Sequence, residues 1–170
     1  MVTNDKLIYG LVGKKLSHSF SRQFFSHKFE EEQIDAEYLN FELPTIEHLK
    51  DIIASHPTLK GLNVTIPYKE EVIPLLDELS PEAEAIGAVN VIKIEHLSDG
   101  SVRLIGHNTD VIGFRESIRP LLTSNHTKAM ILGTGGASKA VEHALRSLEI
   151  KVQFVSRSHD KSSMTYSDLT

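Results

Sequence analysis

The sequence contains no cysteine and no tryptophan, and only 6% of its residues are aromatic. Without cysteine the chain can form no disulfide framework, no thiolate metal site and no cysteine nucleophile. No apolar run reaches the roughly 18 residues that a membrane span requires, and residues 1–6 lack the apolar core of a signal peptide. These absences predict a protein without membrane association in a reducing compartment, the cytoplasm.

Neither sign of charge is in large excess. The 23 acidic and 18 basic side chains leave a formal net charge of −5. This mild acidity argues against general nucleic-acid binding, which normally requires a basic face. The nine histidines never stand three or four residues apart, so the sequence predicts no metal site. The 40% of hydrophobic and 24% of charged residues are typical of a soluble globular protein.

Strand-like apolar runs alternate with helix-like spacings along the chain. This alternation predicts an α/β protein with largely parallel sheets. The predicted strands cover residues 6–13, 36–43, 60–66, 88–94, 102–105, 128–132 and 151–156. The predicted helices cover residues 19–32, 45–55, 67–76 (divided by Pro74), 80–87, 108–122 and 137–148.

The C-terminal part of the sequence predicts an incomplete domain. Residues 157–170 contain little that could form a core, and one strand-helix-strand unit cannot cover both faces of a sheet. A dinucleotide-binding fold normally uses two such halves. We therefore expect one complete domain followed by an unfinished one, connected either by the polar residues 123–127 or by the helix before them.

A glycine turn, Gly133-Thr-Gly135-Gly136-Ala137-Ser138, lies between a predicted strand and a predicted helix. Glycines in this context allow a tight turn and a close approach of the backbone to a pyrophosphate. The helix N-terminus then offers amide N–H groups to the phosphates. Ser138 occupies the third glycine position, so a simple strand-helix turn without a ligand is the alternative interpretation.

The end of the following strand indicates which cofactor would bind. An NAD site would carry Asp or Glu here, whereas Ser156-Arg157-Ser158, with Lys161 nearby, suits the 2′-phosphate of NADP. The alternative is that Arg157 is an ordinary solvated surface charge.

Polar residues cluster after two strands of the N-terminal half, where ligands gather in α/β sheets. Ser19 and Ser21 follow the first strand, and their hydroxyls could hold a carboxylate or cap a helix. Lys69 follows the third strand and could exchange a proton with a hydroxyl or ketone, or be a solvated helix residue. Asn90 ends an apolar run and Asp110 opens a helix, where capping is the alternative for both.

Five motifs of this chain resemble those of shikimate dehydrogenases, in the same order and over essentially its whole length. They are GKKLSHSFS at residues 13–21, NVTIPYK at 63–69, GAVN at 87–90, NTD at 108–110 and GTGGA at 133–137. The resemblance implies that residues 1–107 form an α/β substrate-binding domain with a mixed or parallel sheet. Residues 108–170 would form the first part of an NADP-binding Rossmann domain, with the active site in the cleft between the domains. Because the family's chain is longer, the remainder of the second domain is expected to be missing.

The resemblance also implies residue roles. Ser19 and Ser21 would bind the substrate carboxylate, while Lys69 and Asp110 would form the catalytic pair. The ring hydroxyls would contact Asn63, Thr65, Asn90 and Asp110. The phosphate turn would comprise Gly133, Gly135, Gly136 and Ala137, and the 2′-phosphate would meet Ser156, Arg157, Ser158 and Lys161.

The expected activity is the reversible, NADP-dependent reduction of 3-dehydroshikimate to shikimate in aromatic amino-acid biosynthesis. A quinate or quinate/shikimate dehydrogenase is one alternative, and a non-catalytic shikimate-binding fragment is another. The expected partner is this small-molecule substrate, with no nucleic acid and no membrane, and a homodimer is compatible with the sequence.

Overall fold

The computed structural model describes residues 6–17, 19–157 and 163–169. The first of its two compact units comprises the described residues of Met1–Ser80 and Val89–His107, and the second those of Pro81–Ala88 and Asn108–Thr170. The strands are β1 (Leu7–Gly13), β2 (Ala36–Glu42), β3 (Leu59–Val64), β4 (Glu78–Leu79), β5 (Val91–His96), β6 (Val102–His107), β7 (Lys128–Leu132), β8 (Lys151–Ser156) and β9 (Ser163–Thr165). The α-helices are α1 (Ser21–Glu31), α2 (Leu49–Ser55), α3 (Tyr68–Glu71), α4 (Pro81–Ile86), α5 (Asp110–Ile118) and α6 (Gly136–Ser147), with 3-10 turns at Ile46–His48, Ile73–Leu75, Arg119–Leu121 and Tyr166–Leu169. Among the residues described, no helix is long and apolar enough to cross a membrane.

The first unit is built on a six-stranded sheet with the strand order β2-β1-β3-β5-β6-β4. β1 runs parallel to β2 and β3, and β4 runs parallel to β6. β5 is antiparallel to both of its neighbours, β3 and β6. The sheet is therefore mixed, and the short strand β4 was not expected from the sequence.

Alternating side chains give the first unit an apolar core on each face of its sheet. Val12, Leu62 and Ile92 on one face are at most 2% exposed. On the opposite face, Phe25 and Phe29 of α1 pack in a cluster with Tyr9, Leu11, Leu16 and Tyr38. α1 is therefore held by its aromatic side chains directly over the strands β1 and β2.

Gly10 lies on β1 at a position that leaves no room for a side chain. A Cβ atom built at this position would lie 2.5 Å from Phe41 Cε2 and 2.7 Å from the carbonyl oxygen of Leu39. Separations this short lie well inside van der Waals contact, so only glycine fits here without displacing a neighbour.

The second unit is built on a three-stranded parallel sheet with the order β7-β8-β9. Ile131, Leu145 and Ile150 form one buried cluster of this unit, against which Phe114 and Phe154 pack. β9 was not expected, because residues 157–170 carry few apolar side chains. It pairs in parallel with the end of β8, where Ser156 lies opposite Thr165.

The segment Pro81–Ala88 belongs to the second unit, although the expected division assigned all of residues 1–107 to the first domain. Ile86 and Ala88 are buried in one cluster with Ala140 and Ala144 of α6. This small-residue contact joins segments far apart in sequence, so no local pattern could have indicated it.

Candidate functional site

The loop after β1 carries the two candidate carboxylate-binding serines. Both Ser19 and Ser21 are half-buried, and Ser19 Oγ accepts a hydrogen bond from the Ser21 backbone N–H at 3.3 Å. The loop is attached to the sheet by Leu16, whose N–H donates to Glu42 Oε1 at 2.5 Å. Ser19 therefore supports the start of α1, which is the capping role considered as its alternative. His18, within the same motif, lies outside the described residues.

Tyr38 connects this loop to the third strand. Its hydroxyl donates to Asn63 Oδ1 at 2.7 Å, and its ring stacks on Phe25 at a centroid distance of 4.7 Å and an interplanar angle of 13°. Burial raises the pKa of Tyr38 well above its usual range, and a hydrogen bond with the Ser21 side chain partly opposes that rise. The phenol therefore remains a neutral donor and lies between two of the candidate substrate residues.

The raised pKa of Tyr38 predicts a loss of stability in alkali. Because the unfolded phenol ionises near its ordinary pKa of about 10 and the folded one does not, the unfolded state binds fewer protons as the pH rises. The free energy of unfolding should therefore fall by up to ~1.4 kcal/mol per pH unit from this group, starting near pH 10. Urea unfolding at several alkaline pH values measures this fall, and Tyr38→Phe should make the dependence shallower. An identical pH dependence in both proteins would contradict the prediction.

Backbone hydrogen bonds gather three further candidate residues at the carboxyl end of β3. The Thr65 N–H donates to the Val12 carbonyl at 2.9 Å, and the Val64 N–H donates to the Asn90 carbonyl at 2.8 Å. The Val89 N–H donates to the Lys69 carbonyl at 2.7 Å. Thr65, Lys69 and Asn90 are therefore held on adjoining backbone segments.

Tyr68 anchors the short helix that carries Lys69. It is 1% exposed, and its hydroxyl donates to the Leu43 carbonyl at 2.6 Å. Burial and the charges of Glu71 and Glu47 raise the pKa of Tyr68, so the hydroxyl keeps its proton. Lys69, the next residue, is half-buried, and its backbone position is set by this buried neighbour.

Asp110, the candidate partner of Lys69, is the first residue of α5 in the second unit. Asn108 is 3% exposed, and its Oδ1 accepts the backbone N–H groups of Asp110 at 3.1 Å and Val111 at 3.4 Å. Its Nδ2 donates to the Ala88 carbonyl at 2.9 Å. Asn108 therefore performs the capping that was the alternative role for Asp110, and the pairing of Asp110 with Lys69 stays a prediction.

The glycine turn between β7 and α6 has the backbone that its sequence predicts. Gly133 has a φ of +110°, which a residue with a side chain rarely adopts. A Cβ atom built at Gly135 would meet no other atom within 4 Å. In the described part of the chain, the N–H groups of Gly136 and Ala137 have no hydrogen-bond partner, as expected for the first residues of a helix. This open turn with donors at a helix start fits a phosphate group.

The ends of β7 and β8 lie side by side in the second unit. Leu132 pairs with Val155, and the Gly133 N–H donates to the Val155 carbonyl at 2.8 Å. Ser156, the next residue, is half-buried, and Arg157 is exposed. The residues present therefore fit NADP(H), with a phosphate turn and a guanidinium at one sheet edge. Ser158 and Lys161, also predicted around the 2′-phosphate, lie outside the described residues.

The substrate candidates of the first unit form a set of complementary groups. Hydroxyls at a helix start suit a carboxylate, and amide and hydroxyl groups after β3 suit ring hydroxyls. The two tyrosines that hold this set were not among the predicted residues. A tyrosine at an inward-facing strand position could have drawn attention to Tyr38, because buried tyrosines usually find a hydrogen-bond partner.

Comparison with known proteins finds relatives of one kind. Residues 11–92 match the family model described as the shikimate dehydrogenase substrate binding domain. Over 172 aligned residues the chain is 40% identical to the shikimate dehydrogenase (NADP(+)) of Methanosphaera stadtmanae, and the alignment covers 99% of this chain and 59% of that protein. The chain therefore spans about three fifths of the length of this curated relative.

Solved structures agree with the sequence match. Shikimate dehydrogenase 1 from Peptoclostridium difficile superposes with a TM-score of 0.81 at 37% identity, covering 96% of this chain and 62% of that chain. Quinate dehydrogenase from Corynebacterium glutamicum, solved in complex with NAD, gives a TM-score of 0.77 at 30% identity, covering 91% and 56%. Sequence and structure therefore lead to the same relatives: this chain is similar to shikimate dehydrogenases, and its residues 11–92 match the substrate binding domain of that family.

Proposed function

We propose that this protein catalyses the reversible, NADP-dependent reduction of 3-dehydroshikimate to shikimate in aromatic amino-acid biosynthesis. The observation that carries the proposal is the backbone arrangement that holds Thr65, Lys69 and Asn90 at one end of β3. The names of the relatives support the choice of substrate and cofactor. A chain without cysteine suits a reducing compartment, so we place the reaction in the cytoplasm.

In this proposal the first unit recognises the substrate. Ser19 and Ser21 bind its carboxylate, because hydroxyls and amide N–H groups at a helix start are donors to an anion. Asn63, Thr65 and Asn90 hydrogen-bond the ring hydroxyls, and Asp110 of the second unit binds one more. Each contact depends on a polar group that an analogue without the matching hydroxyl would leave unpaired.

Lys69 moves the proton. Its Nζ donates a proton to the oxygen of the ring ketone during reduction and accepts it back during oxidation. Asp110 supports the charged amine and orients the reacting hydroxyl. The chemistry that NADP(H) supplies when bound is hydride exchange at the ring carbon. Residues 1–107 would serve as the substrate domain and residues 108–170 as the first part of the nucleotide domain.

Calorimetric titration of the chain with shikimate and with quinate tests the substrate, and the absorbance of NADPH follows turnover. We expect shikimate to bind more tightly than quinate and to be oxidised with NADP⁺. Tighter binding of quinate would favour the alternative that the Corynebacterium glutamicum neighbour suggests. Binding of shikimate without turnover would indicate a non-catalytic shikimate-binding fragment, and no binding of either acid would refute the proposal.

The cofactor assignment predicts a selective effect of Arg157. Arg157→Ala should raise the Kd for NADP⁺ by about 10–100-fold, because a charge-assisted contact with the 2′-phosphate is lost, and should leave the Kd for NAD⁺ within about twofold. Titration of both cofactors measures the difference. Arg146→Ala is the matched control, because that guanidinium pairs with Glu142 at 2.8 Å on α6. An equal loss for NADP⁺ and NAD⁺ would count against a role for Arg157 at the phosphate.

A further inference from the structure

Tyr38 contacts a candidate substrate residue but is not itself one of the candidates. It is 2% exposed and lies on β2, where its ring packs with Phe25 beneath α1. Its hydroxyl donates to Asn63 on β3 at 2.7 Å. One buried phenol therefore links Asn63 of the third strand to Phe25 of α1.

The hydrogen bond decides which way the Asn63 amide points. An asparagine side chain presents an acceptor oxygen and a donor NH₂ group, and a rotation of the amide exchanges them. The Tyr38 hydroxyl donates to Oδ1 at 2.7 Å, so a flipped amide would take this acceptor away from the phenol and force its O–H to rotate. Within the described residues, the Asn63 NH₂ group has no protein partner. Tyr38 therefore leaves the donor end of Asn63 available to a ligand oxygen.

The geometry points to Tyr38 as a positioning residue that fixes Asn63 as a hydrogen-bond donor to a substrate hydroxyl. This inference rests on the proposed function, because it assumes that Asn63 contacts the substrate. Tyr38 acts through Asn63 and does not itself contact the ligand. Its effect should therefore disappear when Asn63 can no longer form the contact.

A double-mutant cycle on shikimate binding to the chain tests this dependence. Tyr38→Phe removes the hydroxyl and keeps the stacked ring, and it should raise the Kd by about 5–20-fold, as expected for a lost or misdirected hydrogen bond. In the Asn63→Ala background the same change should alter the Kd by less than about twofold. Tyr9→Phe is the matched control, because Tyr9 packs on Phe29 in the same cluster and should leave the Kd unchanged. Equal effects of Tyr38→Phe in both backgrounds would overturn the inference, since they would indicate a general structural role.

A second measurement needs no ligand. In ¹⁵N-labelled protein, the side-chain amide of Asn63 should have a high order parameter that falls in Tyr38→Phe and stays high in Tyr9→Phe. An unchanged amide in Tyr38→Phe would overturn the inference even if shikimate binds. The unmodified chain could also fail to bind shikimate while the Asn63 amide still loses order in Tyr38→Phe. That result would refute the proposed function, and Tyr38 would then orient Asn63 without a role in shikimate binding.

Discussion

Replacing Lys69 by alanine is expected to lower NADP-dependent oxidation of shikimate by about 10²–10⁴-fold, the usual contribution of a positioned acid-base group. The Kd for shikimate should change by less than about tenfold, because the hydroxyl and amide contacts remain. Fold disruption should not contribute, since Tyr68 rather than Lys69 secures the helix through its bond to the Leu43 carbonyl. Initial rates followed by NADPH absorbance, together with calorimetric titration, separate the two effects.

The control for this variant is Lys93→Ala. Lys93 is exposed on β5 and pairs with Glu95 at 2.6 Å, so its loss should leave the rate unchanged. If Lys69→Ala retained near-normal turnover while Lys93→Ala behaved in the same way, Lys69 would have no role in proton transfer. The assignment of the catalytic pair would then have to be abandoned.

Gly10→Ala is expected to destabilise the protein by about 2–4 kcal/mol, at the upper end of what overpacking in a core costs. The added methyl group would lie 2.7 Å from the Leu39 carbonyl oxygen, and a backbone atom in a paired strand cannot move aside without breaking the β1–β2 pairing. Urea unfolding should show a lower midpoint with an unchanged slope.

Gly113→Ala is the matched control and should have the opposite sign. Gly113 lies in α5, and a Cβ atom built there would meet nothing within 4 Å. Alanine in a helix interior should therefore stabilise the protein by about 0.5–1 kcal/mol. Equal losses in the two variants would show that the tight approach at Gly10 is not the cause.

The sequence was most informative where a local pattern decides the structure. The strands Lys128–Leu132 and Lys151–Ser156 have the predicted bounds, because turn residues on both sides of a short apolar run fix where the strand begins and ends. The gathering of polar residues after β1 and β3 was also predictable, since parallel strands end at the same sheet edge. β4 and β9 were missed because two or three paired residues leave no periodicity to read.

Contacts between segments that are distant in sequence could not be predicted from local sequence patterns. The Tyr38 hydroxyl meets Asn63 only after β1 has been placed between β2 and β3, and nothing in the local sequence of either residue indicates the other. The packing of Ile86 on α6 is of the same kind. The pairing of Lys69 with Asp110 rests on family resemblance and stays a prediction.

The position of Tyr68 has a consequence for anyone who redesigns this protein. The proposed proton donor is the immediate neighbour of a phenol sealed in the interior and bonded to the Leu43 carbonyl. Repacking that interior for heat tolerance would therefore also shift the amine relative to its target oxygen. Libraries built around residues 43 and 68 should be screened for rate and melting temperature together, because neither property can be tuned there alone.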